Sequence, residues 1–133
     1  MNKKSILSIL LIVASFLSCN NKVMPELTVA LIPQPLELTE GDRWFEISSS
    51  TIISVENAEQ EKIAADFFAP LEKVAGWTPE VQTDAETSDI ILTTDPAVAA
   101  EGYTLNVTPE NITISASSNA GFFYALQTLK QLL

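Results

Sequence analysis

The sequence contains no histidine, a single cysteine and few cations. Among its 133 residues, 7 Lys and Arg stand against 17 Asp and Glu, which gives a formal net charge of −10 at pH 7. Without His there is no imidazole base to activate a serine or cysteine nucleophile, and the commonest zinc ligand is missing. One Cys excludes disulfide frameworks and thiolate zinc clusters. The shortage of cations argues against a nucleic-acid partner, because phosphate binding depends on clustered Lys and Arg.

Residues 1–18 have the organisation of a secretory signal peptide. Lys3 and Lys4 precede an apolar run over Ile6–Leu17, and the small residue Ser18 follows it. This order of positive charge, apolar run and small residue is typical of signal peptides. The run is shorter than the about 20 apolar residues that a membrane-spanning helix needs. The alternative is a buried core helix, which would have to begin at Ile6 without a cap.

Cys19 indicates the type of signal. The segment Phe16-Leu17-Ser18-Cys19 resembles a bacterial lipobox, a motif that more often begins with Leu. The resemblance implies cleavage before Cys19, lipidation of that residue and a lipid-anchored location in the bacterial cell envelope, in the periplasm or at the outer membrane. Several acyl chains on one residue anchor a protein stably, whereas a single chain binds only marginally. Residues 19–29 then form a tether. The alternative for Cys19 is a small buried hydrophobe.

Residues 30–133 have the pattern of one α/β domain, an α+β two-layer sandwich. Runs rich in β-branched and aromatic residues predict strands over Trp44–Ile47, Thr51–Val55, Val81–Thr83 and Ile90–Thr93. Apolar and polar residues alternate over Tyr103–Val107 and Ile112–Ala116, on either side of a short polar turn, which predicts an antiparallel hairpin. We therefore expect a mixed, largely antiparallel sheet with two helices packed on one face.

The first helix is predicted over residues 57–75. Asn57, followed three residues later by Gln60, predicts an N-cap and a capping-box partner, and Gly76 is a natural stop. Pro70 lies inside this pattern, so either the helix kinks there or a second short helix begins.

The second helix is predicted over residues 118–133. Gly121 in its first turn lowers helix propensity by up to about 1 kcal/mol, which a close approach of the helix to the sheet would offset. The helix ends on Leu132 and Leu133 without a cap, which indicates burial against a partner C-terminal to residue 133. The alternative is a frayed end docked on its own sheet. The side chains expected in the core are Phe67, Phe68, Leu105, Ile114, Phe123 and Leu126.

Acidic residues are the candidates for chemistry. Paired carboxylates at helical spacing can act as acid and base, and clustered loop acids can bind calcium. We interpret the acids on and beside the first helix as a solvated helix face. We interpret the acids between residues 84 and 95 as ordinary loop acids, since no Asp-x-Asp-x-Asp-Gly loop accompanies these loop residues. We therefore predict no catalytic and no metal-binding residue. The helix set is Glu56, Glu59, Glu61, Asp66 and Glu72, and the loop set is Asp84, Glu86, Asp89 and Asp95.

Three segments, in order, resemble one protein family. Ala30–Pro35 is similar to the start of the non-catalytic N-terminal domain of glycoside hydrolase family 20. Glu101–Val107 and Ile112–Ile114 resemble the closing hairpin of that domain, and Ala120–Leu129 resembles its final helix. The resemblance covers residues 30–133. Family 84 glycosidases have a similar N-terminal domain and are the alternative, although the Ile-Pro-x-Pro opening favours family 20.

The resemblance implies an N-terminal accessory domain of a bacterial β-N-acetylhexosaminidase. Such enzymes hydrolyse terminal N-acetylhexosamine residues of glycans by a substrate-assisted retaining mechanism, and no cofactor is implied. The catalytic Asp-Glu pair belongs to a (β/α)8 barrel, which we expect C-terminal to Leu133. Since this chain has no adjacent Asp-Glu pair, we expect the 133 residues alone to be inactive.

A stand-alone lipoprotein module that binds glycan or protein is the alternative function. Trp44, Trp77 and Tyr103 are then the candidates for stacking on sugar rings. Packing in or near the core is the other interpretation of these three side chains, and it is the one we favour.

Overall fold

Residues 29–133 are described by the structure, a computed structural model. The predictions for the signal peptide, for Cys19 and for most of the tether lie outside the described residues. The elements follow in the order β1 (Ile52–Val55), α1 (Ala58–Ala75), β2 (Glu80–Thr83), β3 (Ile90–Thr94), β4 (Tyr103–Val107), β5 (Ile112–Ala116) and α2 (Asn119–Leu132). Within the described part of the chain, no helix is both long and apolar enough to cross a membrane.

The five strands form one mixed sheet in the order β2-β1-β3-β5-β4. The predicted hairpin is confirmed, because β4 and β5 pair antiparallel with Leu105 opposite Ile114. The expectation of a largely antiparallel sheet is wrong, because β1 pairs parallel with both β2 and β3, and β3 pairs parallel with β5. Hairpins have a local sequence signature. Parallel pairs join distant strands through long connections, so alternation within each strand does not reveal their direction.

The predicted strand at Trp44–Ile47 does not form. These residues lie outside the sheet, although Phe45 and Ile47 pack against the core with partly buried side chains. The aromatic and β-branched residues that predicted a strand therefore do contact the core, but from a segment without a backbone partner in the sheet. Ile32, which precedes this segment in the chain, is bound by the side chain of Gln131 on α2. The Ile32 N–H donates to Gln131 Oε1 at 2.9 Å, and Gln131 Nε2 donates to the Ile32 carbonyl oxygen at 3.0 Å.

Helix α1 begins and ends as its sequence predicts. The Asn57 side chain accepts hydrogen bonds from the backbone N–H groups of Glu59 and Gln60. Gly76 ends the helix with φ at +79°, in the left-handed region that favours glycine. The helix continues through Pro70 without a second start. The Gln60 side chain departs from the predicted capping box, since its Oε1 accepts from the N–H of Glu56, 2.8 Å away, rather than from that of Asn57.

The predicted close approach of α2 to the sheet is confirmed. Ser118 caps the helix, and its side chain accepts from the N–H of Gly121. A Cβ atom at Gly121 would lie against the carbonyl oxygen of Gly102 and 2.7 Å from the Cβ of Ala116. Only glycine fits this contact without a shift of the backbone.

The core lies between one face of the sheet and the two helices. Of the expected core residues, Phe68, Ile114 and Leu126 are fully buried, and Phe67 and Leu105 pack partly buried against them. The expectation for Phe123 is wrong, because this side chain is 51% exposed and Phe122 is buried in its place. The buried stripe of α2 runs through Phe122, Ala125, Leu126 and Leu129. At about 100° per residue, Phe123 lies away from that stripe.

Candidate interaction surface

The acids of the first helix and its flank all lie at exposed positions, as the interpretation of a solvated face expects. Glu59 accepts a hydrogen bond from the side chain of Asn119, and Lys62 pairs with Asp66 one helical turn away. Glu61 and Glu72 line one cleft beside β2. These two carboxylates are eleven positions apart on one helix, hence about 16 Å along its axis. Glycosidase acid pairs lie about 5–9.5 Å apart, so the two cannot act together on one bond.

Glu56 has a structural role that the sequence does not reveal. Its carboxylate accepts hydrogen bonds at 2.9 Å from the hydroxyl of Thr93 and from the backbone N–H of Thr94. The buried Gln60 side chain donates to Glu56 and to the Thr94 hydroxyl. Hydrogen bonding by Thr94 and, less strongly, by Thr93 and Gln60 lowers the pKa of Glu56, although partial burial acts in the opposite direction. The carboxylate thus joins the ends of β1 and β3 to the start of α1.

Two of the acids of the predicted loops bind backbone N–H groups. Asp89 Oδ2 accepts from the N–H of Ile52 at 2.8 Å, and Asp95 Oδ1 accepts from the N–H of Ala97 at 2.9 Å. Among residues 29–133, no group of three or more His, Cys, Asp or Glu side chains is arranged to hold a metal ion.

The structure brings two of the three candidate aromatic side chains together. Trp44 and Trp77 line a cleft of about 360 Å³, which we call the tryptophan cleft. The other residues of this lining are Phe45, Glu46, Ile47, Leu71 and Leu133. Trp44 is 59% exposed, and Trp77 is partly buried. Tyr103 lies elsewhere, with its hydroxyl 2.6 Å from that of Thr128 on α2, so it belongs to the contact between helix and sheet.

The outer face of α2 carries two exposed aromatic side chains. Phe123 was expected in the core, and Tyr124 was not among the candidate residues. Phe123 is 51% and Tyr124 44% exposed, and their rings make an edge contact with centroids 5.7 Å apart. The spacing of Phe122, Ala125, Leu126 and Leu129 defines the buried side of the helix, so the sequence alone could have placed Phe123 and Tyr124 outside it. The sequence shows three consecutive aromatics, Phe122 to Tyr124, and only the angular position of each one separates the core residue from the surface pair.

A second exposed apolar group lies at the carboxyl ends of the helices. The helices start side by side, since Asn119 of α2 binds Glu59 of α1 at 2.7 Å. Because α1 follows β1 and α2 follows β5, two strands that run in the same direction, both helices end at the same side of the domain. There, Val74 is 87%, Leu132 40% and Leu133 65% exposed. We call these three residues the helix-end patch.

A comparison with family models decides the family of this fold. The model for glycosyl hydrolase family 20, domain 2, matches residues 28–133, which include the sheet and both helices. The chain belongs to this family. The predicted resemblance to family 20 is confirmed, and it is favoured over the family 84 alternative.

Relatives of the family 20 domain are much longer proteins. A β-hexosaminidase of Porphyromonas gingivalis is 33% identical over 129 residues, which cover 90% of this chain and 17% of the relative. A β-hexosaminidase of Vibrio furnissii is 31% identical over 106 residues, covering 80% and 17%. The solved structure of Streptomyces plicatus N-acetyl-β-hexosaminidase superposes with a TM-score of 0.67 at 32% identity, over 77% of this chain and 21% of that one. The chain thus spans about a sixth of the curated relatives that it matches.

Proposed function

We propose that this family 20 domain is the accessory domain of a β-N-acetylhexosaminidase. In that proposal the parent enzyme hydrolyses terminal N-acetylhexosamine residues of glycans by a substrate-assisted retaining mechanism, and its catalytic groups belong to a (β/α)8 barrel. The observation that carries the proposal is the match of residues 28–133 to domain 2 of family 20. Relatives named β-hexosaminidase, of which this chain spans 17%, support the assignment.

The role proposed for the domain itself is to pack against the barrel and stabilise it. The exposed pair Phe123 and Tyr124 supports this role, because both rings lie on the outer side of a helix whose inner side is already buried in the core. Burying the exposed half of an aromatic side chain removes about 100 Å² from water. At about 25 cal/mol per Å², each ring would contribute roughly 2.5 kcal/mol before the loss of side-chain freedom is subtracted.

The test compares two proteins with an aryl N-acetylglucosaminide as substrate. The first is the 133-residue chain, for which we expect no turnover above background. The second is a chimera in which this chain replaces the matched region of the Porphyromonas gingivalis relative, and here we expect hydrolysis. Turnover by the chain alone that survives substitution of each acid from Glu56 to Glu72 would contradict the proposal. A folded chimera without activity would contradict it as well.

We also propose that the mature protein is a lipoprotein of the bacterial cell envelope, attached through Cys19. The Lys3-Lys4 start, the apolar run and the small residue before Cys19 support this proposal. Cells grown with labelled palmitate are expected to label the wild-type protein but not the Cys19→Ala variant. Equal labelling of both would show that the anchor is absent or lies elsewhere.

A further inference from the structure

Residues 30–44 lie on the surface of the domain, outside the sheet and the helices. None of their side chains is buried, and Ile32 is 82% exposed while Leu36 is fully exposed. Among the described residues, Phe45 is the first that packs against the core. Burial therefore does little to hold residues 30–44 in place, and other contacts have to do so.

Gln131 on α2 binds this segment through both ends of its side-chain amide. Its Oε1 accepts from the N–H of Ile32, and its Nε2 donates to the carbonyl oxygen of the same residue. One planar amide thus takes both backbone groups, as two paired residues of antiparallel strands do. Within the described part of the chain, these are the only hydrogen bonds that join residues 30–44 to a helix or strand. The exposed pair of Arg43 and Glu110, 3.8 Å apart, adds little.

The Ile-Pro-x-Pro motif suits the segment to this contact. Pro33 and Pro35 have no backbone N–H, so the segment cannot add to an edge of the sheet as a regular strand. Ile32 still has both its N–H and its carbonyl group, and the amide of Gln131 pairs with both. The motif that opens the family resemblance therefore has a physical role, since it directs the segment to α2 rather than to the sheet.

We propose that Gln131 and Ile32 form a clasp that holds residues 30–44 on α2 and sets how far the domain can lie from a lipid-anchored Cys19. Both hydrogen bonds are at exposed positions, where water competes for the same groups, so the clasp can open without unfolding the core. The clasp itself is independent of the proposed function. Its effect on distance rests on the proposed lipid attachment and goes beyond it.

The closed clasp halves the distance that the chain can span between Cys19 and the domain. Thirteen residue steps separate Cys19 from Ile32, and 26 separate it from Phe45. At a maximum of about 3.5 Å per residue, the span reaches about 45 Å with the clasp closed and about 90 Å with the clasp open. The closed clasp also makes the end of α2 the point at which the upstream chain leaves the domain.

The charge of the chain gives this distance a physical consequence. The formal net charge is −10, so an anionic membrane surface repels the domain. In about 0.01 M salt this repulsion extends over roughly 30 Å. The domain is then pushed outward until the upstream chain stops it, and the clasp decides at which distance that happens.

The first experiment measures amide hydrogen exchange by NMR in the 133-residue chain. In Gln131→Ala the amide of Ile32 loses its acceptor, and its exchange should accelerate roughly three- to tenfold. In Gln127→Ala, the same substitution one turn earlier on α2, the clasp is intact and the rate at Ile32 should not change. The amides of β3 and β5 report on the core, and we expect them to keep their rates in both variants.

The second experiment measures distance from a membrane by fluorescence energy transfer. Cys19 is the only cysteine, and lipidation blocks its thiol, so Lys73→Cys adds a single reactive thiol for a donor dye at an exposed position of α1. The lipidated protein is placed in vesicles of phosphatidylglycerol and phosphatidylcholine that carry an acceptor lipid, in about 0.01 M salt. Adding Gln131→Ala should lower the transfer by about half or more, because the maximum span doubles. Adding Gln127→Ala should leave the transfer unchanged.

Three results would overturn the proposal. Equal exchange at Ile32 in wild type and Gln131→Ala would show that the clasp is absent. Acceleration of β3 and β5 by the same factor as Ile32 would show that Gln131 supports the whole fold rather than the segment. Unchanged energy transfer in Gln131→Ala would refute the effect on distance. A Cys19 that carries no labelled palmitate would refute the lipid anchor and its reach, whereas exchange at Ile32 would still decide the clasp.

Discussion

The two helices pack on the same face of one sheet, yet their outer faces differ over most of their length. Helix α1 presents mainly charged and small residues to solvent, among them the ion pair of Lys62 and Asp66, and its exposed large apolar residue is Val74 in the last turn. Helix α2 presents the aromatic pair Phe123 and Tyr124. Both helices bury a regular apolar stripe. The inner stripe therefore explains the fold of each helix, whereas the outer face indicates which helix is suited to a further contact.

The two outer faces also stabilise the protein in different ways, one through surface ion pairs and the other through burial of aromatic rings by a partner. Exposed ion pairs such as that of Lys62 and Asp66 contribute little and keep the surface hydrated. The exposed parts of the aromatic rings contribute little until they are covered, and then contribute through burial. We infer that α2, rather than the charged length of α1, is the helix suited to the contact proposed above.

The largest expected effect separates the inner from the outer side of α2. Phe122→Ala should lower the free energy of unfolding by about 3–5 kcal/mol, because this ring is fully buried. Phe123→Ala should lower it by less than about 1 kcal/mol in the isolated chain, because half of that ring is already in water. Urea unfolding of both variants measures the difference. Equal losses would contradict the assignment of the two faces.

The next effect concerns the contact that holds α2 against the sheet. Gly121→Ala should lower the free energy of unfolding by about 1–3 kcal/mol, since the new methyl group would meet Gly102 and Ala116. Gly41→Ala is the matched control, because a Cβ atom at Gly41 would meet nothing within 4 Å. Its effect should stay within about 0.5 kcal/mol of zero. If both variants unfold alike, the close approach is absent in solution.

A smaller effect is expected at the start of α1 and depends on pH. The pKa of Glu56 is lowered from its ordinary value of 4.5 by its hydrogen bonds. Because the folded-state value is the lower one, the stabilisation is fully present above about pH 4.5 and is lost as the pH falls through the folded-state pKa. The stability difference between wild type and Glu56→Gln should therefore shrink on acidification.

Glu61→Gln provides the control for this titration, at an exposed carboxylate of the same helix. Unfolding by urea at several values between pH 7 and pH 3 gives both differences. A gap between wild type and Glu56→Gln that stays constant over this range would show that its carboxylate does not join β1, β3 and α1 as described.

The smallest effect is expected on the charged outer face of α1. Lys62→Gln removes the pair with Asp66 and should lower the free energy of unfolding by about 0.3–0.5 kcal/mol. The loss should diminish in high salt, because both side chains are mostly exposed. A loss above about 1 kcal/mol would mean that α1 also depends on its outer face.

Local signals in the sequence predicted the elements of this fold well. The cap at Asn57, the stop at Gly76 and the β4–β5 hairpin each depend on residues close together in the chain, and all three are present. The parallel order of the remaining strands was not predicted, because it depends on connections that carry no pairing signature. The strand predicted over Trp44–Ile47 is absent for a related reason, since a run of aromatic and β-branched residues does not by itself supply a neighbouring strand to pair with.

The candidate surface was only partly visible in the sequence. The outward position of Phe123 was missed, because its neighbour Phe122 has the same side chain and only the angle around the helix distinguishes them. The sequence could not show that Trp44 and Trp77 line the same cleft, because 32 residues and the whole of α1 separate them along the chain.

The proposed function requires that the outer face of α2 contacts the catalytic part of the parent enzyme. Hydroxyl-radical footprinting of Phe123 and Tyr124, followed by mass spectrometry, tests it directly in the isolated chain and in the chimera. We expect both rings to be oxidised readily in the chain and to become protected in the chimera, while oxidation of the exposed Leu36 is unchanged. Equal oxidation of Phe123 and Tyr124 in the two proteins would contradict the claim.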